Sequence, residues 1–93
     1  MTAYAFVNLT ITNPDSFNAY RAQAGAALNK YGGAAMEVSK EAEVIEGGGA
    51  APTVAVILTF PDRAAAKGWI NDPDLASVHA LREGSGTSQI ILM

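Results

Sequence analysis

The sequence contains no cysteine and few charged residues, and each of these absences limits what the protein can be. Without cysteine the chain cannot form a disulfide, a thiol nucleophile or a cysteine-ligated metal site. Charged residues make up 16% of the chain, which is less than the roughly 25% of an average domain. A chain of 93 residues exposes much of its surface, so this low charge predicts that part of the surface is covered in an oligomer.

Long apolar runs and clusters of positive charge are also missing. No stretch approaches the roughly 18 apolar residues of a membrane span, and the N-terminus lacks the basic start and apolar core of a signal peptide. The net charge is -3 and the six Lys and Arg residues are scattered, which argues against binding of nucleic acid. We therefore expect one cytoplasmic domain over residues 1–93 that contacts neither nucleic acid nor a membrane.

The chain shows no motif for a metal or a cofactor. It has a single histidine and no histidine–carboxylate cluster of the kind that binds metals. The glycines at 47–49 lack the lysine and the helix start of a phosphate loop. Gly84 to Gly86 follows a predicted helix, whereas a nucleophile elbow follows a strand. We expect no metal and no cofactor.

The strongest element that is present is the apolar run from Thr53 to Phe60, which lies between Pro52 and Pro61. Its β-branched residues and nearly unbroken apolar character predict a strand that is buried on both faces. A second strand, Ala3 to Thr12, alternates between two faces. Its aliphatic face carries Ala5, Val7, Leu9 and Ile11, and its mixed face carries Tyr4, Phe6, Asn8, Thr10 and Thr12.

Helix signals follow both strands. Asn13-Pro14 predicts the start of a first helix, and Gly32-Gly33 predicts its end. Asp62 predicts the cap of a second helix, Arg63 to Ile70, and Asp72-Pro73 restarts a third helix that ends at Gly84. The inward-facing residues are Phe17, Tyr20, Ala24, Ala27, Leu28 and Tyr31 on the first helix, Ala65, Ala66, Trp69 and Ile70 on the second, and Leu75, Val78 and either Leu81 or Arg82 on the third.

Two weaker strands complete the chain. Ala34 to Ile45 is polar enough for the edge of a sheet, and Ser88 to Met93 is a short apolar strand after a turn at 85–87. The order strand–helix–strand–strand–helix–strand, with the second helix broken in two, predicts an α+β fold, the ferredoxin-like βαββαβ sandwich with a four-stranded antiparallel sheet. The first and third strands are then central neighbours.

A sheet of this kind is covered by helices on one face only. The central strand is nevertheless apolar on both faces, and Tyr4 and Phe6 lie on the uncovered side. Because an open apolar face of this size exceeds what soluble monomers usually show, we expect a homodimer packed sheet against sheet.

A set of short motifs along the chain supports the same fold. They are Tyr31-Gly32-Gly33, Glu46-Gly47, Phe60-Pro61, Trp69, Asp72-Pro73-Asp74 and Arg82. In this order they resemble the domain-of-unknown-function 1330 family over essentially the whole chain. The resemblance implies a dimeric α/β-barrel and no established activity. Ile70 and Leu75 stand where members commonly carry aromatic residues, and Asp72 stands where Ser is frequent, which keeps the capping chemistry.

His79 and Arg82 are the candidates for chemistry on the third helix. We interpret His79, the only histidine, as a surface or capping residue near the helix end, and a general base is the alternative. Arg82 is suited either to clamp the carboxylate of a small ligand or to form a salt bridge with Asp74 or Glu46.

The aromatic residues also have two possible roles, one structural and one in ligand binding. Tyr20, Tyr31 and Trp69 are interpreted as core residues whose polar tips find a partner, or as the wall of a pocket between helices and sheet that holds a flat aromatic substrate. Asn8 lies on the mixed strand face and has to meet a dimer mate or a ligand. The candidate ligand-binding residues are therefore Tyr20, Trp69, Arg82 and Asn8.

Three functions are compatible with these features. The first is binding of a small organic molecule between the helices and the sheet or at the dimer barrel. The second is a cofactor-independent enzyme, a monooxygenase or an isomerase on a small aromatic or carbonyl compound, in which His79 or a tyrosine moves protons. The third is a structural dimer without a ligand. An enclosed cavity with His79 or Arg82 pointing inward favours the first two. A position of His79 and Arg82 on the outer surface, with Trp69 fully packed, favours the third.

Overall fold

The computed structural model describes residues 1–93 and contains the elements in the predicted order. The strands are β1 (Ala3–Ile11), β2 (Ala34–Ser39), β3 (Val54–Phe60) and β4 (Gly86–Leu92), and the helices are α1 (Pro14–Asn29), α2 (Arg63–Asn71) and α3 (Ala76–Gly84). A 3₁₀ turn, Pro73–Leu75, links α2 to α3.

The four strands form one antiparallel sheet in the order β2-β3-β1-β4. The two most apolar strands are central neighbours, as predicted, and they pair Ala3 with Phe60 at one end and Leu9 with Val54 at the other. Strand β2 lies at an edge, as predicted. Its one charged residue, Glu37, is exposed there, and a charge on an edge strand discourages pairing with another sheet. This arrangement is the predicted α+β, ferredoxin-like fold.

The helices cover one face of the sheet, and the hydrophobic core lies between the helices and this face. Alternate residues of β1 point into this core because side chains alternate across a strand. The buried apolar residues are Ala3, Ala5, Val7, Leu9, Ala27, Leu28, Val54, Leu58, Phe60, Ala66, Trp69 and Val78. The predicted inner sides of the helices are confirmed except at Ile70, which is 38% exposed.

Helices α1 and α2 begin after the polar N-cap residues that the sequence predicts, Asn13 and Asp62. The backbone N–H of Ser16 donates to Asn13 Oδ1 at 3.3 Å, and the backbone N–H of Ala65 donates to Asp62 Oδ1 at 2.7 Å. These bonds satisfy N–H groups that have no partner inside the first turn of a helix.

The predicted end of the second strand is wrong, because β2 stops at Ser39 and not at Ile45. Residues beyond Lys40 would have to pair with the chain before Val54. Pro52 lies there, and its nitrogen carries no hydrogen for a ladder bond. Residues 40–53 therefore connect β2 to β3 without regular structure.

The predicted turn before the last strand is also wrong. β4 begins at Gly86, two positions before Ser88, and Gly86 pairs with Ile11. The backbone of Gly86 has a φ of +151°, which glycine adopts without a steric penalty. The strand can therefore start directly after α3.

The second face of the sheet, here called the outer face, carries no helix. Tyr4, Phe6 and Ile91 are 41%, 36% and 47% exposed there. Phe6 stands opposite Ile57 of β3 and opposite Ile91 of β4. The centre of the outer face is thus an exposed apolar patch. None of the three helices has the length and apolar character that crossing a membrane requires.

Candidate ligand-binding site

A cavity of about 380 Å³ lies between α1 and the sheet, and we call it the α1–sheet cavity. Helix α1 contributes one wall, and β1, β2 and β3 contribute the other. Its lining residues are Leu9, Phe17, Tyr20, Arg21, Ala24, Leu28, Ala35, Val38, Lys40, Val54, Val56 and Leu58. The volume lies within the range of small-molecule sites in proteins, which are concave and mostly apolar.

The periodicity of the sequence explains how these residues meet. Phe17, Tyr20, Ala24 and Leu28 recur at three- and four-residue intervals, so they lie on one side of α1. Val54, Val56 and Leu58 alternate along β3 and therefore share the face that the helix covers. The sequence predicts this wall, including the candidate Tyr20.

The two charged residues of the cavity are missed by sequence reasoning. Arg21 is not among the inward-facing residues that helical spacing predicts for the first helix, and Lys40 belongs to the predicted strand Ala34 to Ile45 at the edge of the sheet. Both are exposed at the cavity. The Arg21 guanidinium carbon lies 5.8 Å from the centre of the Phe17 ring, which is within the range of a cation–π contact. A residue four positions after Phe17 on a helix faces it, and this spacing is the signal in the sequence.

Behind the wall of α1 lies a buried polar group that we call the Arg82 cluster, formed by Arg82, His79, Tyr20 and Trp69. The guanidinium carbon of Arg82 is 5.7 Å from the ring centre of Tyr20 and 5.6 Å from that of Trp69. Arg82 Nη1 lies 2.8 Å from His79 Nδ1. Tyr20 belongs to both groups, because its ring lines the α1–sheet cavity and contacts the Arg82 cluster.

His79 is buried, with 6% exposure, so the interpretation as a surface residue is wrong. A guanidinium carries donors only, and Arg82 Nη1 therefore donates to His79 Nδ1 at 2.8 Å. The imidazole proton then lies on Nε2, which donates to the backbone oxygen of Trp69 at 2.9 Å. Since this carbonyl is in the last turn of α2, where helical carbonyls lack partners, His79 fastens α3 to the end of α2.

Arg82 is 3% exposed, and neither predicted salt bridge is present. The ion pairs of the chain join Lys30 to Asp72 and to Asp74, and none involves Arg82 or Glu46. The negative end of the α3 dipole and the faces of two aromatic rings reduce the cost of burying the charge. A buried charge without a counterion is nevertheless unusual.

Two donors of the Arg82 cluster have no acceptor in the chain. Arg82 Nε and Trp69 Nε1 are both buried without a hydrogen-bond partner. The expectation that the polar tip of Trp69 finds a partner is therefore wrong, whereas the Tyr31 hydroxyl does donate, to Asp72. Buried donors without acceptors are rare in native proteins, and each requires an explanation. His79 and Arg82 point inward, but neither lines a cavity, so only half of the arrangement that favours ligand binding or catalysis is present.

The remaining candidates lie apart from these groups. Asn8 points to the outer face, where it stands opposite Ala55 and Gln89, so it cannot reach the α1–sheet cavity. A smaller cavity of about 200 Å³ also borders Trp69, and Phe60, Lys67 and Ile70 are among its walls. No three His, Cys, Asp or Glu side chains come together as a possible metal site.

Asp72 forms a second polar group, which sequence reasoning recognised only as a helix cap. Its Oδ1 accepts from the backbone N–H of Asp74 at 2.8 Å, and its Oδ2 accepts from Lys30 Nζ at 2.6 Å and from the Tyr31 hydroxyl at 2.8 Å. These bonds, that from Lys30 first, lower the pKa of Asp72. The same bonds raise the pKa of Lys30 and of Tyr31. The group ties the end of α1 to the α2–α3 junction.

Comparison with known proteins identifies both a family and a fold. The model of the family described as "Domain of unknown function (DUF1330)" matches residues 2–93. No curated protein matches the sequence. A crystal structure of a protein of unknown function from Rhodopseudomonas palustris superimposes with a TM-score of 0.77 at 18% identity, and the alignment covers 99% of this chain and 80% of that one.

Two further solved structures carry informative descriptions. One is SnoaB, described as a cofactor-independent oxygenase from Streptomyces nogalater, with a TM-score of 0.72, 15% identity and coverage of 99% of this chain and 90% of that one. The other is a dimeric ferredoxin-like protein of unknown function from Jannaschia sp. CCS1, with a TM-score of 0.73, 14% identity and coverage of 100% and 98%. At such identities the likeness establishes the ferredoxin-like fold alone.

Proposed function

The chain belongs to the DUF1330 family, and we propose that it acts as a homodimer that binds a small organic molecule in the α1–sheet cavity. The observation that carries this proposal is the cavity itself, which has about 380 Å³ of space and ten apolar lining residues out of twelve. The cavity is partly open, and its apolar lining is in contact with water unless something fills it. A ligand with an apolar body would fill it.

The dimer is supported by the outer face. Tyr4, Phe6 and Ile91 are exposed there, in a chain with a low charged fraction. Pairing of two outer faces would remove this patch from water and would give Asn8 a partner across a twofold axis. A structural neighbour from Jannaschia is described as dimeric and ferredoxin-like, which is the assembly that such pairing would produce.

Native mass spectrometry of the protein purified from cells tests both parts of the proposal. We expect twice the chain mass plus a small organic adduct. The variant Ala24→Trp places a large side chain in the cavity from α1 and should release the adduct, whereas Ala19→Trp changes an exposed position of the same helix outside the cavity and should retain it. A dimer without adduct, which also binds no added aromatic probe, would contradict ligand binding and leave the structural dimer as the function.

The Arg82 cluster favours a second candidate function, a cofactor-independent enzyme. Monooxygenation of an electron-rich aromatic and isomerisation of a carbonyl compound both pass through an anion on oxygen. Arg82 and Trp69 each carry a buried N–H group without a partner. Preorganised donors of this kind stabilise such an anion, provided that a substrate enters beside them, because Arg82 lines none of the cavities. A neighbour of the same fold is described as a cofactor-independent oxygenase.

Exchange of acidic C–H protons with D₂O, followed by NMR on 2-tetralone, tests this second function. Both ring nitrogens of His79 are hydrogen-bonded, so water takes the proton and the protein should accelerate the exchange by stabilising the enolate. Arg82→Met should lower the acceleration by about 10²-fold, the usual effect of losing one oxyanion donor. Arg63→Met removes an exposed cation and serves as the control. Equal exchange rates with and without the protein would exclude proton abstraction from this probe, and ligand binding would stand alone.

A further inference from the structure

The α1–sheet cavity carries positive charge and no negative charge. Arg21 and Lys40 are its only charged lining residues, although the chain as a whole has nine acidic and six basic residues. Arg21 projects from α1 and Lys40 follows β2, so the two cations come from the helix wall and from the sheet wall. The local charge of the cavity is therefore opposite in sign to the net charge of the protein.

Neither cation is neutralised by a carboxylate of the chain. The ion pairs of the structure involve Lys30 alone, so no acidic group lies within salt-bridge distance of Arg21 or Lys40. Glu41 and Glu43 follow Lys40 in the sequence and are exposed to solvent, yet neither lines the cavity. Two unpaired cations beside a partly enclosed apolar space attract an anion more strongly than the same charges would on open surface.

The uncharged lining residues of the α1–sheet cavity indicate the shape and polarity of the uncharged part of the ligand. Phe17 and Tyr20 present aromatic rings from α1, and β3 presents Val54, Val56 and Leu58. Aromatic and β-branched side chains pack well against a flat apolar group. The guanidinium of Arg21 rests on the Phe17 ring, which leaves its N–H groups free to donate to an oxyanion.

From these observations we infer that the ligand of the α1–sheet cavity is a flat aromatic or cyclic organic anion, with its rings against Phe17, Tyr20 and β3 and its carboxylate or phenolate between Arg21 and Lys40. This inference rests on the proposed function, because it names the class of molecule that the same cavity binds.

Isothermal titration calorimetry with a charged and a neutral probe of the same shape tests the inference. 2-Naphthoate carries a carboxylate, and 2-naphthamide replaces it with an uncharged amide. We expect 2-naphthoate to bind at least tenfold more tightly than 2-naphthamide. Arg21→Gln and Lys40→Gln should each weaken binding of 2-naphthoate by about three- to tenfold and leave 2-naphthamide unchanged. Raised salt should weaken only the charged probe, because exposed charges are screened.

Arg63→Gln is the matched control, since it makes the same change in net charge at an exposed position outside the cavity. Equal binding of both probes, with no effect of either cavity variant, would overturn the inference and leave the proposed ligand-binding function intact. An equal loss in Arg63→Gln would overturn it as well, because the preference would then come from net charge. Failure of both probes to bind, together with a protein that carries no adduct from cells, would overturn the proposed function and the inference with it.

Discussion

At the scale of single residues, Asp72 has the most partners, and its ionisation links stability to pH. Lys30, the backbone of Asp74 and Tyr31 all donate to its carboxylate, so the pKa of Asp72 is lower in the folded chain than in the unfolded chain. A lowered carboxyl pKa contributes stability above the unfolded value of about 4, and this contribution is lost as the pH falls through the folded pKa. Lys30 and Tyr31 have raised pKa values, and their contribution is lost as the pH rises through those folded values.

Asp72→Asn tests this linkage. Asparagine keeps an oxygen that can accept from the Asp74 backbone, so the helix start is retained, but the charge that faces Lys30 is lost. We expect the variant to be less stable than the wild type at neutral pH. The difference should shrink below about pH 4 and again above about pH 10, where Asp72 or its partners change charge.

Urea unfolding followed by far-ultraviolet circular dichroism across this pH range measures the difference. Asp74→Asn is the control, because Asp74 is 84% exposed and lies 3.6 Å from Lys30, and it should change stability little. A difference between wild type and Asp72→Asn that is constant from about pH 3 to pH 7 would contradict the assignment of Asp72 as the linked group.

The sequence predicts the local role of such residues, for example as a helix cap, better than it predicts which groups surround them. Asp72 is recognisable as a cap because it precedes Pro73. Helical spacing places Arg82 on the side of Val78 and leaves Leu81 as the alternative, whereas the burial of His79 is not recognisable. A charged or titratable residue is normally assigned to the surface, and only the three-dimensional arrangement shows that two aromatic rings enclose the guanidinium.

At the scale of elements, the close approach of β4 to β1 is set by Gly86. A Cβ atom at this position would lie 2.0 Å from the backbone oxygen of Thr10 and 2.9 Å from the backbone nitrogen of Thr12. Thr10 is paired with Thr87 of β4, and the Thr12 N–H donates to the backbone oxygen of Ser85 at 2.8 Å, so neither atom can move without disturbing the junction of β1 and β4. The φ of +151° adds backbone strain for any residue other than glycine.

Gly86→Ala should therefore lower the free energy of unfolding by about 3 kcal/mol, from the combined clash and strain. Gly25→Ala is the matched control. Gly25 lies inside α1 with nothing within 4 Å of its added Cβ, so alanine there should stabilise the protein by about 0.5–1 kcal/mol. Urea unfolding measures both changes. A loss of less than about 0.5 kcal/mol in Gly86→Ala would show that β4 can separate from β1 at little cost.

The elements that the sequence predicts correctly are those with strong local signals. Periodicity and caps define α1, and the run between Pro52 and Pro61 defines β3. The ends of β2 and the start of β4 depend on pairing with residues distant in sequence, which local patterns do not contain. Gly86 resembles a turn residue in the sequence, and its role as the first paired residue of β4 comes from the strand beside it.

At the scale of the whole molecule, the two faces of the sheet have different proposed functions: one binds the ligand and the other forms the dimer. The helix-covered face holds the α1–sheet cavity and the Arg82 cluster, whereas the outer face exposes apolar side chains that need a partner. The sequence predicts this division, because strand alternation separates the two sets of residues. It predicts a pocket between helices and sheet but not its size or its charged residues, since these depend on how closely α1 approaches β2 and β3.

Phe6→Glu tests the proposed dimer, because Phe6 lies at the centre of the outer face between Ile57 and Ile91. A carboxylate at this position remains in water in a single chain but would be buried against apolar groups in a dimer. We expect the wild type to sediment as a dimer at micromolar concentration and the variant to sediment as a folded monomer, with the dissociation constant raised at least 100-fold. Ala64→Glu, at an exposed position of α2, should remain dimeric. A wild-type monomer would contradict the proposed assembly, and a dimeric Phe6→Glu variant would place the interface on another surface.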